Sequence, residues 1–486
     1  MKRRQFLTIG GSSLGAVLLS QCVSRSGRQP SPHPGALVQS ALPGGKPDLE
    51  AHLDAIATEI DLGDTRARLL TYNGQIPGPR LEARPGDRVR IHLTNRLDTP
   101  TNLHYHGLHI PPTDRADNIF LRVEPGETFT YDFTLPSTHP AGTFYYHPHL
   151  HGFVGEQVFG GLGGIFVVRG DLDAIPEIET AQEEFLFLKD FGVSTAGNPA
   201  ITTGLMAGRE GNLITVNGQV QPQISMAAKG LLRLRLVNAS NARFYRLALE
   251  GHSFHLIATD GGAIEAPVAL SELLLSPGER AEVLVQANQE PGSYRLWSLP
   301  YNRGGMGMMG GGMGMMGNSS SARLPTEEPI ALATFTYTTA VSPTVLPLPQ
   351  YLRPIEALPT ASVQRQFKLN HGMVPGQGMA FLINGRSFAA DRLDTAVRLE
   401  TVEEWEVRNT GVMDHPFHLH TNPVQVISRN GRSEPYLAWK DTVLIQTGET
   451  VRFRVKFADY PGRTVYHCHI LDHEELGMMG TIEMQT

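Results

Sequence analysis

The last part of the chain holds a short run of residues that can bind metal on two sides at once. His467, Cys468 and His469 are consecutive, and His473 and Met478 follow. In an extended strand successive side chains point to opposite faces, so the two outer histidines would share one face and Cys468 would occupy the other. Steps of five and ten residues from Cys468 let a short loop bring an imidazole and a thioether to the thiolate. One strand would therefore contact two metal sites back to back.

An upstream motif supplies a second histidine for the site on the Cys468 side. His415 precedes His418 and His420 and is set apart from them by Pro416, which leaves it free to turn toward Cys468. Two imidazoles, a thiolate and a weak axial thioether form the ligand set of a blue-copper site. The sequence therefore predicts a mononuclear copper site made by His415, Cys468, His473 and Met478.

Two more histidine pairs, each separated by one residue, occur nearer the N-terminus. They are His104 with His106 and His147 with His149. A single pair of this kind is weak evidence, because an exposed or structurally satisfied pair is the more common explanation of one match. The chain has four such pairs, and together they predict a second centre with eight imidazoles.

These motifs strongly resemble those of multicopper oxidases, and the resemblance extends from about Asp61 to the C-terminus. The pattern looks like the bacterial laccase-like branch that has cuprous oxidase activity. The resemblance implies four copper ions, of which one is type 1, one is type 2 and two are type 3. It implies type 1 ligands His415, Cys468, His473 and Met478, type 2 ligands His104 and His418, and type 3 ligands His106, His147, His149, His420, His467 and His469.

The composition is that of a globular protein with several domains. A length of 486 residues is enough for about three domains. Hydrophobic residues make up 41% and charged residues 18% of the chain, which is typical of folded rather than disordered proteins. The net charge of −7 and the absence of a long basic run argue against a nucleic-acid partner. The 51 glycines and 34 prolines favour an all-β protein with many turns.

One pattern of strands occurs three times. Residues 125–127 (Pro-Gly-Glu) recur as 277–279 (Pro-Gly-Glu) and as 447–449 (Thr-Gly-Glu), and each copy opens an alternating strand. Groups of strands repeated at this size predict three antiparallel β-sandwiches of Greek-key type, and the family resemblance makes each a cupredoxin-like domain. The predicted domains span residues 48–170, 171–342 and 343–486.

Aligning the three copies shows which domains would hold the ligands. Residues 147–149 (His-Pro-His) of the first copy align with 297–299 (Trp-Ser-Leu) of the second and with 467–469 (His-Cys-His) of the third. In the same way, Leu247 of the second copy takes the position of His104 in the first. The middle domain would therefore hold no ligand, and the eight histidines would lie between the first and third domains.

Residues 304–317 form a stretch in which methionines are separated only by glycines. Glycine supplies neither packing nor stiffness, so the stretch is not a core strand or an amphipathic helix. A low-complexity loop is the simplest interpretation. Because thioethers prefer Cu(I) to harder divalent ions, the alternative is a loop that collects cuprous ion near the type 1 copper. The methionines are Met306, Met308, Met309, Met313, Met315 and Met316.

Making water from O2 needs protons, so carboxyl groups near the cluster matter. Asp117 follows the first ligand pair and Glu474 adjoins His473, and the family's outer-sphere acids usually lie at these positions. A surface or turn carboxylate is the alternative for each. Asp441 could accept a hydrogen bond from an imidazole, although a structural turn is the interpretation we favour for it.

The N-terminus predicts an export signal. Two arginines at positions 3 and 4 precede a Gly-rich apolar stretch that is too short to span a bilayer, which fits a twin-arginine-type signal over residues 1–23. A basic start on a membrane-associated segment is the alternative. Residues 24–47 are rich in Pro, Gly and Ser and predict a flexible tether. We expect a periplasmic or other extracytoplasmic location, with membrane attachment only if Cys22 is lipidated.

The predicted function is oxidation of a substrate by one electron at a time, coupled to reduction of O2 to two waters. Cys468 would pass each electron to its neighbours His467 and His469. The methionine stretch favours Cu(I) as the reductant, and a phenol or aromatic amine is the alternative. A noncatalytic copper-binding or structural protein on the same scaffold is a third hypothesis, which the complete set of ligands disfavours. We expect a monomer.

Overall fold

The computed structural model describes residues 45–193, 204–305, 328–341 and 347–486. The predicted signal, most of the predicted tether, Cys22 and the methionines of residues 306–316 lie outside the described residues. Within these described ranges, we find no helix with the length and apolar character needed to cross a membrane.

The first sandwich consists of two four-stranded sheets, with strand orders β2-β1-β4-β6 and β3-β8-β7-β5. In β4, Val89, Ile91 and Leu93 are fully buried and alternate with partly exposed residues, as expected for a strand with one face on a core. Helix α1 (Val154–Gly160) connects the last two strands. The strands are β1 (Leu49–Leu62), β2 (Thr65–Tyr72), β3 (Gly78–Ala83), β4 (Arg88–Asn95), β5 (His104–His106), β6 (Thr128–Thr134), β7 (Gly142–His147) and β8 (Gly164–Val168).

The second sandwich pairs a six-stranded sheet, β10-β9-β12-β17-β14-β15, with a five-stranded sheet, β11-β19-β18-β13-β16. Its short helical segments are Asp171–Ala174, α2 (Pro176–Glu179) and Leu205–Ala207. The strands are β9 (Gln182–Phe191), β10 (Leu213–Val216), β11 (Gln223–Ala228), β12 (Leu231–Asn238), β13 (Tyr245–Leu249), β14 (Phe254–Thr259), β15 (Gly262–Leu270), β16 (Leu273–Leu275), β17 (Arg280–Gln286), β18 (Ser293–Leu299) and β19 (Ile330–Val341).

The third sandwich pairs a sheet of order β21-β20-β23-β29-β25-β26, with β27 also bonded to β25, with a sheet of order β22-β31-β30-β24-β28. Helix α3 (Leu471–Glu475) precedes the last strand. The strands are β20 (Val363–Val374), β21 (Gly378–Ile383), β22 (Thr395–Arg398), β23 (Thr401–Asn409), β24 (His415–Leu419), β25 (Val424–Arg429), β26 (Arg432–Ser433), β27 (Trp439–Lys440), β28 (Thr442–Ile445), β29 (Thr450–Phe457), β30 (Gly462–Cys468) and β31 (Met479–Gln485).

The three sandwiches repeat one topology, but their sheets are not purely antiparallel. The first strand of each sandwich pairs in parallel with a later strand: β1 with β4, β9 with β12, and β20 with β23. The prediction of antiparallel sandwiches was wrong at these pairs. The reason is that the chain visits the opposite sheet between the two strands, in β3, β11 and β22, and so returns in the same direction.

A buried asparagine ends the same strand in each sandwich. Asn95, Asn238 and Asn409 have no solvent exposure, and each side-chain amide donates to two backbone carbonyls. In the third sandwich the acceptors are Met413 and Ile445, at 2.7 and 3.0 Å. Since His415 comes two residues after Met413, this asparagine fixes the loop that leads into β24.

Removing this amide should lower the free energy of unfolding by similar amounts in the second and third sandwiches. The effect on copper retention should differ between the two. Asn238→Ala and Asn409→Ala each leave two buried carbonyls unpaired, which costs about 1–3 kcal/mol per group left unsatisfied. Urea unfolding measures that loss. We expect Asn409→Ala alone to lower copper retention at the mononuclear site, because its loop leads to His415. Equal copper retention in the two variants would contradict this role.

Candidate metal centre

Three buried side chains converge at the end of β30. The Cys468 Sγ atom lies 3.4 Å from His415 Nδ1 and 3.7 Å from His473 Nδ1, and the two nitrogens are 3.3 Å apart. His415 begins β24, and His473 lies in α3. One sulfur and two imidazole nitrogens at this spacing can enclose a single soft metal ion.

The backbone places Met478 beside these three residues. Its amide N–H donates to the His473 carbonyl at 2.8 Å, and its carbonyl accepts the Cys468 amide N–H at 3.0 Å. The Met478 side chain is fully buried. The segment between Cys468 and Met478 was predicted as a loop, but residues 471–475 form a helical turn that carries His473 inward. Phe381 stacks on the His473 ring, with centroids 3.8 Å apart.

The environment of Cys468 suits a metal ligand. Burial raises the pKa of the Cys468 thiol, so the thiolate needs a cation beside it. The amide N–H of Ile470 donates to the sulfur at 3.4 Å. Within the described ranges Cys468 is a free cysteine, with no disulfide. A copper ion held by the sulfur and the two imidazoles would supply the missing positive charge.

Eight buried histidines meet between the first and third sandwiches. Each is at most 2% exposed. They are His104 and His106 in β5, His147 at the end of β7, His149 just after it, His418 in β24, His420 just after it, His467 in β30 and His469 just after it.

Three of the rings converge on one point. The Nε2 atom of His467 lies 3.1 Å from Nε2 of His149 and 3.1 Å from Nε2 of His420. A neutral imidazole carries only one N–H, so three such nitrogens facing one another are not all satisfied by hydrogen bonds. Their lone pairs are better satisfied by a metal ion. On another side of the cluster, His106 Nδ1 faces His147 Nε2 at 3.4 Å.

His104 and His418 each present an unpaired nitrogen to the cluster. The His104 Nδ1 atom lies 2.9 Å from Asp117 Oδ1, and the His418 Nδ1 atom lies 2.9 Å from the Asp441 carbonyl oxygen. The Nε2 atom of each ring is buried without a hydrogen-bond partner. One ring nitrogen from each of His104, His418 and His420 lies within 4.8 Å of the others. These ring nitrogens without a hydrogen-bond partner can bind a metal ion between the two sandwiches.

His469 completes the group from beyond the end of its strand. The expectation that the strand continues through His469 was wrong, because β30 ends at Cys468. The His469 amide instead donates to the Pro416 carbonyl at 2.7 Å, and its Nε2 atom lies 2.9 Å from the Tyr145 hydroxyl. Gly278 packs against the ring so closely that a Cβ there would lie 2.7 Å from the ring carbon Cγ.

Burial keeps the cluster imidazoles in the form that binds metals. It lowers the pKa of His104, His106, His147, His420, His467 and His469 well below the ordinary value, and the neighbouring rings lower it further. Burial also lowers the pKa of His149 to about 4. Neutral imidazole is the form that coordinates metal ions.

The comparisons with known proteins agree with this donor set. Family models described as multicopper oxidase match residues 56–172, 183–310 and 359–486. A multicopper oxidase of Staphylococcus epidermidis is 30% identical over 424 residues, which cover 85% of this chain and 83% of the relative. The chain belongs to the multicopper oxidase family. It is therefore a copper-containing oxidoreductase of the kind that passes electrons from a reducing substrate to O2.

Solved structures support the same assignment. A Campylobacter jejuni protein described as a multicopper oxidase and a metallo-oxidase superposes with a TM-score of 0.78 at 31% identity, covering 92% of this chain and 95% of that one. The family resemblance and the cupredoxin-like fold predicted from the sequence are both confirmed. Another relative, the cell division protein FtsP of Proteus mirabilis, is 28% identical over 99% of this chain and 98% of its own length.

Two carboxyl groups of this multicopper oxidase lie against the histidine cluster. Asp117 accepts the Tyr105 amide N–H at 2.9 Å in addition to its contact with His104, and burial raises its pKa to about 8. Glu474 Oε2 lies 3.1 Å from His467 Nδ1, and its Oε1 atom lies 3.7 Å from His149 Nδ1. Both acids predicted from the sequence are thus within reach of cluster histidines.

Two further ionisable residues, Glu475 and His151, lie near enough to Glu474 to interact with it electrostatically. Burial raises the pKa of Glu474, so this carboxyl group holds a proton to higher pH than an ordinary glutamate. The next residue, Glu475, is half-buried, and burial raises its pKa to about 7. Its Oε2 atom lies 3.7 Å from His151 Nδ1, and the His151 side chain is 40% exposed. The sequence alone did not predict the contact between Glu475 and His151.

Asp441 is a cluster neighbour rather than a simple turn residue. Its Oδ1 atom lies 3.0 Å from His106 Nε2, and its backbone carbonyl accepts from His418. The favoured interpretation of Asp441 as a structural turn was therefore incomplete. Burial by itself would raise the pKa of Asp441, but the adjacent Arg280 guanidinium holds it below its usual range.

Replacing Cys468 should abolish the spectrum of the mononuclear site and leave that of the histidine cluster. In Cys468→Ser the mononuclear site loses its thiolate, and we expect complete loss of the intense blue absorbance. The eight histidines keep their own contacts, so the type 2 electron paramagnetic resonance signal should persist. Optical and resonance spectra of the copper-loaded variant test this. A variant that stayed blue would contradict the ligand assignment.

Removing the acid at Glu474 should slow O2 reduction without slowing entry of electrons. In Glu474→Gln we expect turnover to fall by roughly 100-fold, which is typical when a positioned proton donor is lost. Anaerobic reduction of the blue site should keep the parent rate. In the parent, turnover should fall as pH rises through the raised pKa of Glu474, because the proton is then lost. Stopped-flow absorbance and oxygen uptake measure the two steps, and equal slowing of both would contradict the assignment.

Proposed function

We propose that this multicopper oxidase oxidises Cu(I) at a type 1 copper and reduces O2 to water at a trinuclear copper cluster. Four Cu(I), one O2 and four protons would give four Cu(II) and two waters. The mononuclear site would hold the type 1 ion. The eight histidines would hold one type 2 and two type 3 ions, which makes four copper ions in all. When bound, these ions supply the redox chemistry. The residues of the chain hold the ions in place and supply the protons for O2 reduction.

The observation that carries this proposal is the position of Cys468. Its sulfur faces the mononuclear group, while the residue before it, His467, contributes its ring to the cluster. The two groups of ligands are thus joined through one peptide unit. A protein that only stores copper has no need for such a covalent connection. An oxidase that receives electrons one at a time and uses four per O2 needs a path between the two centres.

A second group of contacts favours Cu(I) as the substrate. In the β20–β21 hairpin His371 lies opposite Phe381, and Met373 lies opposite Met379. Residues two apart on a strand share a face, so both methionines lie on the face from which Phe381 contacts the type 1 ligand His473. Met373 is 73% exposed and Met379 is 36% exposed. Thioethers in reach of solvent suit capture of a soft cuprous ion.

The backbone also brings the start of the methionine stretch near the mononuclear site. The Asp414 amide donates to the Arg303 carbonyl at 2.8 Å, and Gly304 forms a bridge with Met413. His415 follows Asp414, and the first methionine of the stretch is residue 306. The methionines themselves lie outside the described residues, so their part in capturing Cu(I) is proposed from sequence and from this attachment point.

Two alternatives remain in competition. A phenol or aromatic amine as the natural reductant is the first alternative. A noncatalytic role on the same scaffold is the other alternative, and the full-length similarity to a protein named for cell division favours it. Against it stands the complete set of histidine, cysteine and methionine ligands.

We further propose that the protein works outside the cytoplasm as a monomer. Residues 1–23 support export by a twin-arginine-type signal, which would give a periplasmic or other extracytoplasmic location. Attachment to a membrane would then depend on lipidation of Cys22.

Substrate choice is tested by oxygen uptake with Cu(I) and with a simple phenol on the same copper-loaded sample. We expect the Met373→Leu, Met379→Leu double variant and a deletion of residues 306–316 each to lower kcat/KM for Cu(I) by roughly tenfold, the equivalent of about 1.4 kcal/mol. Phenol turnover should not change. Val363→Ala, at the other end of β20, is the matched control because Val363 is also exposed.

Each alternative predicts a different result in this experiment. Unchanged Cu(I) kinetics in both methionine variants, with phenol turnover intact, would favour the phenol oxidase. No oxygen uptake with either substrate by fully copper-loaded protein would favour the noncatalytic role.

A further inference from the structure

The middle sandwich supplies no ligand among its described histidines, yet one of its arginines reaches the edge of the cluster. Arg280 is the first residue of β17 and follows the repeated turn at residues 277–279. Its side chain is completely buried. Burying a guanidinium is costly unless every donor is paired and the charge is balanced. The partners of Arg280 therefore indicate what this arginine does.

All five N–H groups of the Arg280 guanidinium have acceptors, and these come from all three sandwiches. The Nε atom donates to the Thr143 carbonyl of the first sandwich at 3.3 Å. One terminal nitrogen donates to the Gly278 carbonyl at 2.9 Å and to Asp441 Oδ1 at 2.8 Å. The other donates to the Asp260 carbonyl at 3.0 Å and to Asp441 Oδ2. A planar, five-donor group is the side chain that can satisfy this arrangement.

The carboxylate that Arg280 holds is itself bonded to a cluster histidine. Asp441 Oδ1 accepts the Thr442 hydroxyl at 2.9 Å and lies 3.0 Å from His106 Nε2. A carboxylate paired with a guanidinium on both oxygens only accepts, so His106 must carry its proton on Nε2. The other ring nitrogen, Nδ1, is then the one with a free lone pair. It is this nitrogen that faces His147.

We propose that Arg280 is a positioning residue of the copper cluster, which fixes Asp441 and through it the tautomer and orientation of His106. The described hydrogen bonds of Arg280 do not include one to a cluster histidine. Arg280 acts by clamping a carboxylate that would otherwise be free to rotate away from the ring. The middle sandwich, which holds no described ligand, thus contributes to the metal site through the Arg280 side chain. The inference rests on the copper cluster of the proposed function.

The residue after His106 packs directly against the Arg280–Asp441 pair. Gly107, the residue after His106, has a positive φ of 87°, and a Cβ there would collide with both the Arg280 guanidinium and the Asp441 carboxylate. The guanidinium carbon also lies 5.9 Å from the ring centroids of Phe144 and Tyr145. The Arg280–Asp441 pair therefore packs tightly against the backbone that follows His106.

A cavity reaches Arg280 from the interface of the second and third sandwiches. It has a volume of about 180 Å³, and its lining includes Arg280, Glu279, Lys440 and the half-buried Arg429 and Tyr436. This is several times the liquid volume of one water, which is about 30 Å³. A guanidinium ion from solution could therefore enter the space left by a truncated arginine.

The first test replaces Arg280 with lysine, which keeps the charge and removes the two-pronged bond. Losing such a support for a ligand typically costs roughly 10- to 100-fold in metal affinity or activity. We expect the copper affinity of the cluster and oxygen uptake to fall by this factor in Arg280→Lys. The type 2 resonance signal and the near-ultraviolet band of the coupled copper pair should change. The blue absorbance should not, because no residue of the mononuclear group contacts Asp441 or Arg280.

The matched control is Arg233→Lys. Arg233 is also a buried arginine of the second sandwich, and it pairs with Glu282 and Asp173. It has no contact with Asp441. We expect Arg233→Lys to lower stability in urea while leaving the copper spectra and copper affinity of the parent. If Arg233→Lys changed the cluster spectra as much as Arg280→Lys, general loosening of the second sandwich would explain the effect and the proposal would be overturned.

A double-mutant cycle tests whether Arg280 acts through Asp441. Asp441→Asn removes the charged acceptor and should change the same two cluster signals. If Arg280 works by holding this carboxylate, adding Arg280→Lys to Asp441→Asn should lower copper affinity little further, so the two losses are not additive. Additive losses would overturn the proposal.

A truncated variant covers the case in which Arg280→Lys does not fold. Arg280→Ala produced and copper-loaded with millimolar guanidinium should regain the near-ultraviolet band of the coupled copper pair, and urea at the same concentration should not restore it. Parent spectra in Arg280→Ala without guanidinium would overturn the inference. A parent protein that binds only one copper ion would instead overturn the proposed function, so the two failures are distinguishable by copper content.

Discussion

The covalent adjacency of His467 and Cys468 is the constraint on which the metal chemistry depends. Because neighbouring side chains of a strand point to opposite faces, one peptide unit sends a sulfur to the mononuclear group and an imidazole to the cluster. The pairing of β24 with β30 adds to this, since His418 lies directly opposite His467. A shift of β30 by one residue in this register would turn His467 away from the cluster. The separation between the two centres is therefore set by backbone geometry.

The three copies of the sandwich have different roles around β30. The first and third supply the histidines, and the second is retained for support. Its buried arginine fixes the carboxylate beneath His106, and its Gly278 allows the His469 ring to pack closely. Even the repeated asparagine differs in consequence, because only Asn95 and Asn409 lead into ligand-bearing strands. Repetition therefore provides a common framework, and the eight histidines meet where two copies face each other.

Spacing in the sequence was enough to predict the fold and to group the metal ligands. A His-x-His pair on a strand sends both rings to one side, and the structure places all eight together, although their occupation by copper stays a prediction. No sequence pattern pointed to Arg280 or Tyr145, since Arg280 and Asp441 are 161 positions apart and only the packing of three sandwiches joins them. The role of Asp441 was underestimated for the same reason. The parallel first strands escaped prediction because pairing direction depends on the path between sheets.

The most direct test of this account is a crystal structure of the copper-loaded protein with anomalous scattering measured at the copper edge. Four copper peaks are expected, on opposite sides of β30. One should lie among His415, Cys468 and His473, and three should lie among the eight histidines. A structure in which the Cys468 sulfur binds no copper, or in which the eight histidines hold none, would contradict it.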